Sequence, residues 1–225
     1  MSDSIEQPRV KQLSDAQILA LNPMLGYIDN FCDKSEALQF LNNLDHEKLE
    51  EAQVQTGRGQ VINDVRTAKT GHLRDGESPF MDRMRRNVTG LFNLEPQASE
   101  PPAIIRYETG GEYKAHLDGG KIDEDALKSG KTPLNVRPYT GILYLNDNFE
   151  GGETVFPRLD VAISPRAGRL VFWQNYPVGA SQPHPLAIHA GKPVTSGEKF
   201  IISFWMWTPM VMQDMQRRIA AYKEQ

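Results

Sequence analysis

Ala103-Ile104-Ile105-Arg106-Tyr107-Glu108-Thr109 opens the part of the chain whose pattern decides the fold. The run is short, apolar and rich in β-branched residues. It lies between a Pro-containing segment, 95–102, and the Gly110-Gly111 turn, so it reads as a buried strand. Comparable runs follow at 112–117, 139–145, 153–156, 169–173, 186–189 and 199–207, separated by Gly, Pro, Asn and Asp turns. Their number and spacing predict a mainly β domain with flanking helices, a double-stranded β-helix or distorted jelly roll, with its core over 101–208.

Residues 1–100 read as a largely helical support. Ser14 is expected to cap a helix through Ala20, and 24–31 to form a strand. Ser35 is expected to cap a helix carrying Ala37, Leu38, Phe40, Leu41 and Leu44. A third helix is expected over 79–92, with Phe80, Met81, Met84, Val88, Leu91 and Phe92 on its apolar side. A C-terminal helix is expected over 209–225. The polar stretch 119–135 has little to bury and predicts a mobile loop that closes over a site.

With 225 residues and a net charge of −4, the chain suits one hydrophobic core and is read as a single domain, 1–225. The acidic balance gives no general attraction for phosphate backbones, and Arg83-Met84-Arg85-Arg86 is read as one face of a helix, so nucleic acid is not an expected partner. The most apolar stretch, 200–212, is too short to cross a bilayer and contains Pro209, so no membrane is expected either. One cysteine, Cys32, cannot form an internal disulfide, and 1–8 lack an apolar leader, which predicts a cytoplasmic location. Oligomeric state is left open.

Chemistry concentrates in Tyr113-Lys-Ala-His116-Leu-Asp118. The strand period of two puts the imidazole and the carboxylate on one face, within reach of one cation. His189, at a strand end before Gly191, is the candidate third ligand. Two imidazoles and a carboxylate on one side of an iron leave the opposite side open for oxygen chemistry. His46, His72 and His184 read as surface or loop residues, and Trp173, Trp205 and Trp207 as core.

Further ordered motifs accompany this cluster. They are Val65-Arg-Thr-Ala68, Arg106-Tyr107-Glu-Thr-Gly110, Arg137-x-x-Thr140-x-x-x-Tyr144-Leu145, Gly151-Gly-Glu-Thr-x-Phe156-Pro157, Gly168-Arg-Leu-Val-Phe172, His189-Ala-Gly-x-Pro193-Val194 and Gly197-Glu-Lys199-Phe200 followed by Trp205. In this set the chain resembles the prolyl 4-hydroxylase family of Fe(II)/2-oxoglutarate-dependent dioxygenases over most of its length. The resemblance implies that His116, Asp118 and His189 hold Fe(II), and that Lys199, with Tyr107 and Thr140, binds the distal carboxylate of 2-oxoglutarate. It further implies consumption of O2, release of succinate and CO2, and ascorbate as reductant. The implied substrate is a prolyl residue in a peptide or protein contacted by Tyr113, Arg137 and Trp205. Related halogenases have a small residue at the carboxylate position, so Asp118 favours hydroxylation. Trp207 departs from relatives that carry a polar residue there. Three alternatives stay open: hydroxylation of a free amino acid or other small molecule, a cupin-like metal isomerase or sensor, and a lectin-like binding module.

Overall fold

A computed structural model describes residues 11–52, 54–56, 59–61, 65–73, 75–119, 125, 128, 129, 136–177, 180, 182–207, 217, 220 and 221. The first part contains β1 (Gln17–Leu21), β2 (Met24–Ile28), α1 (Lys34–Asn42), β3 (Glu50–Glu51), β4 (Val54–Thr56), β5 (Gly59–Val61), β6 (Lys69–His72) and α2 (Pro79–Leu91). The second contains β7 (Ala103–Tyr107), β8 (Tyr113–His116), β9 (Tyr139–Tyr144), β10 (Glu150–Gly151), β11 (Thr154–Phe156), β12 (Val161–Ile163), β13 (Leu170–Gln174), β14 (His189–Gly191), β15 (Val194–Ser196) and β16 (Lys199–Met206). An eight-stranded sheet runs in the order β1-β2-β13-β9-β16-β7-β6-β3 and faces a four-stranded sheet β12-β11-β14-β8, giving the expected double-stranded β-helix.

Strand alternation sorts the large sheet into two faces. On β16, Phe200, Ile202, Phe204 and Met206 pack toward α1 and α2 with Ile104, Leu143, Leu170, Phe172, Met84 and Val88. The intervening Ile201 joins Ile105, Tyr107, Tyr144, Val171 and Trp173 against Phe156, Ile163, Ala187 and Val194 from the other side of the sandwich. Each fully buried side chain of this size contributes roughly 1.5–3 kcal/mol. The inner register is what later sets Lys199 and Trp205 on the face toward the small sheet. Helix α2 is fixed by Pro79 in its first turn and by the Ser78 hydroxyl, which accepts from the Met81 amide at 3.3 Å.

The N-terminal part departs from expectation. The helix expected from Ser14 through Ala20 is a single 3-10 turn, Leu13–Asp15, followed by β1. The stretch Gln17–Leu21 runs into Asn22-Pro23 and folds back on β2, with Gln17 opposite Tyr27 and Leu21 opposite Met24. Sheet pairing therefore overrides local helix preference. Residues 11–100 are not largely helical: β1, β2, β6 and β3 extend the main sheet. Helix α1 begins at Lys34, with Asp33 rather than Ser35 at its cap. The strand expected at 186–189 begins at His189, because Pro185–Ala187 form a 3-10 turn in which the His184 ring accepts from the Leu186 amide at 3.1 Å. Short strands β10, β12 and β15 were not anticipated. Of the helix expected over 209–225, Arg217, Ala220 and Ala221 are described and are helical, and the rest lies outside the described residues. The loop expected over 119–135 likewise lies outside them except at 119, 125, 128 and 129.

Candidate active site

Strands β8 and β14 lie side by side and set His116 opposite His189. Asp118 follows β8 by two residues and turns to the same side. Ligand atoms of the three residues lie within 4.8 Å of one another. His116 Nε2 is 3.3 Å from Asp118 Oδ1, and His189 Nε2 is 3.6 Å from Oδ2. Each ring is pinned from behind: Nδ1 of His116 meets the Lys114 carbonyl at 2.8 Å, and Nδ1 of His189 meets the Ala187 carbonyl at 3.0 Å. A carbonyl only accepts, so Nδ1 carries the proton in both rings and both Nε2 lone pairs are free for a cation. Tyr113 stacks on His116 at 3.5 Å between centroids, and Trp173 flanks His189 at 4.4 Å. The donor set fits a divalent iron.

The charge states suit the same purpose. Burial, together with His116 beside it, pushes His189 down to about 4, so the ring is neutral near pH 7. Burial would raise the Asp118 carboxyl, but the imidazoles of His189 and His116 hold it below the ordinary carboxylate range. Burial, reinforced by Asp118, lifts the Tyr113 phenol to about 12, so its hydroxyl keeps its proton.

Lys199 enters the same cavity from β16. It is buried, pairs in the sheet with Tyr107, and its Nζ lies 5.1 Å from the Tyr107 ring and 5.4 Å from the Tyr144 ring. The ammonium donates to the Gly152 carbonyl at 2.7 Å. Gly152 has φ +69°, and a Cβ there would stand 3.0 Å from Lys199 Cδ and 2.9 Å from the Phe149 ring, so a glycine is needed to bring this carbonyl in. Burial pushes Lys199 down to about 7, with Glu153 acting in the opposite sense.

Tyr107, Tyr113, Thr140, Lys199 and Trp205 line one cavity with the three metal-ligand candidates. Thr140, expected at the distal carboxylate, is instead bonded to Asp118 Oδ2 at 2.7 Å. The register explains this. Thr140 sits opposite Trp205, six residues along β16 from Lys199, which is roughly 20 Å of strand. Tyr144, bonded to Thr154 at 2.6 Å, is the β9 residue at the Lys199 end. Arg137, expected to face a substrate, is held by Glu100 through two bonds of 2.6 and 2.7 Å and lies 4.4 Å over the Trp205 ring.

Several lining residues were missed as site residues. Arg66 lies 4.9 Å over Tyr113 and lines the cavity without an ion pair among the described residues. Its motif was visible in the sequence, but its position beside Tyr113 comes from a bridge between distant segments. Thr154 and the support residue Asn175 gave no signal beyond their neighbours.

Residues 102–207 match the 2OG-Fe(II) oxygenase superfamily. The chain is 31% identical over 188 residues to prolyl 4-hydroxylase subunit alpha-1 of Gallus gallus, covering 81% of this chain and 35% of that protein. It is 28% identical over 174 residues to a putative prolyl 4-hydroxylase of Acanthamoeba polyphaga mimivirus, covering 76% of this chain and 67% of that protein. The viral collagen prolyl hydroxylase from Paramecium Bursaria Chlorella virus-1, solved as a 2OG complex, shares the fold with a TM-score of 0.64 at 26% identity, over 80% of this chain and 94% of that one. The chain spans about a third or less of the length of the vertebrate alpha subunits it matches. The matched segment includes all three clustered ligands and Lys199, and in it the chain is similar to the 2OG-Fe(II) oxygenase superfamily and, among its members, to prolyl 4-hydroxylases.

Proposed function

We propose that the chain is an Fe(II)- and 2-oxoglutarate-dependent dioxygenase that hydroxylates a prolyl residue in a peptide or protein. One observation carries the reading: a single cavity is walled by His116, Asp118 and His189 and also by Lys199. A metal and the far carboxylate of a dicarboxylic acid thus find partners on shared walls. Bound there, Fe(II) and 2-oxoglutarate supply the oxidation, with O2 consumed and succinate and CO2 released. His116, Asp118 and His189 hold the iron, Lys199 orients the cosubstrate by charge, and Tyr113 and Trp205 give a prolyl ring flat walls. Ascorbate as reductant and a cytoplasmic location belong to the same proposal; the buried, unbridged Cys32 is consistent with a reducing compartment.

The test is incubation with Fe(II), ascorbate and 2-oxoglutarate, with and without proline-rich peptides, reading succinate and peptide mass together. Succinate coupled to gain of one oxygen atom by the peptide supports the reading; no succinate under any condition overturns it. Arg66 favours a second reading, because its cavity-lining guanidinium, free of an ion pair among the described residues, also suits the carboxylate of a free amino acid. Free proline converted in place of peptide would select that alternative.

A pH dependence follows from Lys199. Its folded value, about 7, lies below the ordinary lysine value, so the unliganded site favours the neutral amine, whereas a carboxylate binds the ammonium. Affinity for 2-oxoglutarate is therefore expected to be level below about pH 7 and to fall by about tenfold per pH unit above it. Titration of the anaerobic Fe(II) protein at several pH values checks this, and an affinity that rises with pH would contradict it.

A further inference from the structure

We propose that Asn175 is a positioning residue for the metal-binding carboxylate, acting through Thr140 to fix which oxygen of Asp118 is left for the metal. The inference rests on the iron-site reading above. It starts from a chain of bonds whose donors have no choice of direction. The Trp173 indole Nε1–H only donates, and it reaches Asn175 Oδ1 at 2.8 Å, which fixes the orientation of the amide. The amide Nδ2 then donates to the Arg137 carbonyl at 2.9 Å and to Thr140 Oγ1 at 2.8 Å. Having accepted there, Thr140 gives its one hydrogen to Asp118 Oδ2 at 2.7 Å.

The consequence falls on Asp118. Oδ2 is engaged by a charge-assisted bond from Thr140, and Oδ1, 3.3 Å from His116 Nε2, is the oxygen available to a cation. Trp173, Asn175 and Thr140 are all essentially inaccessible to water, so no solvent competes for these bonds. The backbone of Asn175 is tied on both sides, its amide to the Pro138 carbonyl and its carbonyl to the His184 amide, each at 2.7 Å. Without Asn175 the Thr140 hydroxyl is free to rotate away, and both carboxylate oxygens then compete for the metal. That would take up space the cosubstrate needs.

The experiment measures Fe(II) affinity anaerobically on the full chain, and the visible spectrum of the Co(II)-substituted protein, for the parent, Thr140→Val, Thr140→Ser, Asn175→Ala and the double variant Thr140→Val with Asn175→Ala. Thr140→Val and Asn175→Ala are each expected to weaken Fe(II) binding by about tenfold or more and to shift the Co(II) bands alike. Thr140→Ser restores the hydroxyl and the affinity. The double variant is expected to bind no more weakly than Thr140→Val, because the proposed effect of Asn175 on Asp118 passes through the Thr140 hydroxyl. If Asn175→Ala weakens binding by the same factor in both backgrounds, it acts by packing and the inference is overturned. Should the buried Asn175→Ala not fold, Thr140→Val decides alone, and an unchanged affinity and spectrum there overturn the relay. A parent chain that binds no Fe(II) sinks the site reading itself, an outcome distinct from loss of the relay in a metal-binding parent.

Discussion

His189→Ala is expected to give a folded protein that binds Fe(II) on the order of a hundredfold more weakly or worse and releases no succinate, since losing a direct ligand exceeds the cost of losing an outer partner. The ring it removes is buried between Trp173 and Phe156, so a cavity forms, but the surrounding sheets keep their ladders through β9, β13 and β16. His116→Ala should behave alike with a smaller stability loss, because His116 is the less buried ring. Circular dichroism beside anaerobic metal titration separates the two effects. Full 2-oxoglutarate turnover by either variant would remove the His–Asp–His assignment.

Lys199→Ala is expected to do the opposite: retain iron and lose the cosubstrate. In the ligand-bound site the ammonium and a carboxylate form a buried pair, and removal of one partner costs about 3–5 kcal/mol. At about 1.4 kcal/mol per tenfold, the 2-oxoglutarate requirement should rise by roughly a hundredfold or more. Lys199→Arg keeps the charge, but the rings of Tyr107 and Tyr144 and the Gly152 carbonyl leave little room for a planar guanidinium, so an intermediate defect is expected. Succinate release against 2-oxoglutarate concentration, with Fe(II) affinity measured in parallel, checks both. An unchanged cosubstrate requirement in Lys199→Ala would favour the cupin-like alternative.

What could be read from the sequence followed periodicity. The β core was legible because strand runs such as 103–109 and 199–207 are largely apolar runs bounded by turn residues, as strands buried on both faces should be, and His116 with Asp118 was legible because two residues of strand return to one face. β1 was misread because its fate depends on pairing with β2 and on the Asn22-Pro23 turn, neither of which is a property of a helical window. Thr140 was assigned to the wrong end of the cavity because the resemblance supplies a residue but not a register. Its level on β9 is set by pairing with Trp173 and Trp205, contacts between segments far apart in the chain. Asn175 gave no signal, since a lone asparagine after a strand ordinarily reads as a turn.

The pairing of β8 with β14 carries a consequence for the dynamics of the domain. β8 is the outermost strand of its sheet, joined to β14 through His116 with His189 and Tyr113 with Gly191 across an irregular register. A cation held by both histidines would span that joint and reinforce a strand whose other side is held, among the described residues, only by the segment around Arg66, through the Lys114 amide and the Val65 carbonyl at 2.8 Å. Chelating the metal should therefore speed amide hydrogen exchange in Tyr113–His116 before it affects the ladder between β9 and β16. Because Tyr113 rides on the same strand, iron occupancy would then govern how long this wall of the cavity stays assembled, as well as whether the proposed chemistry can run.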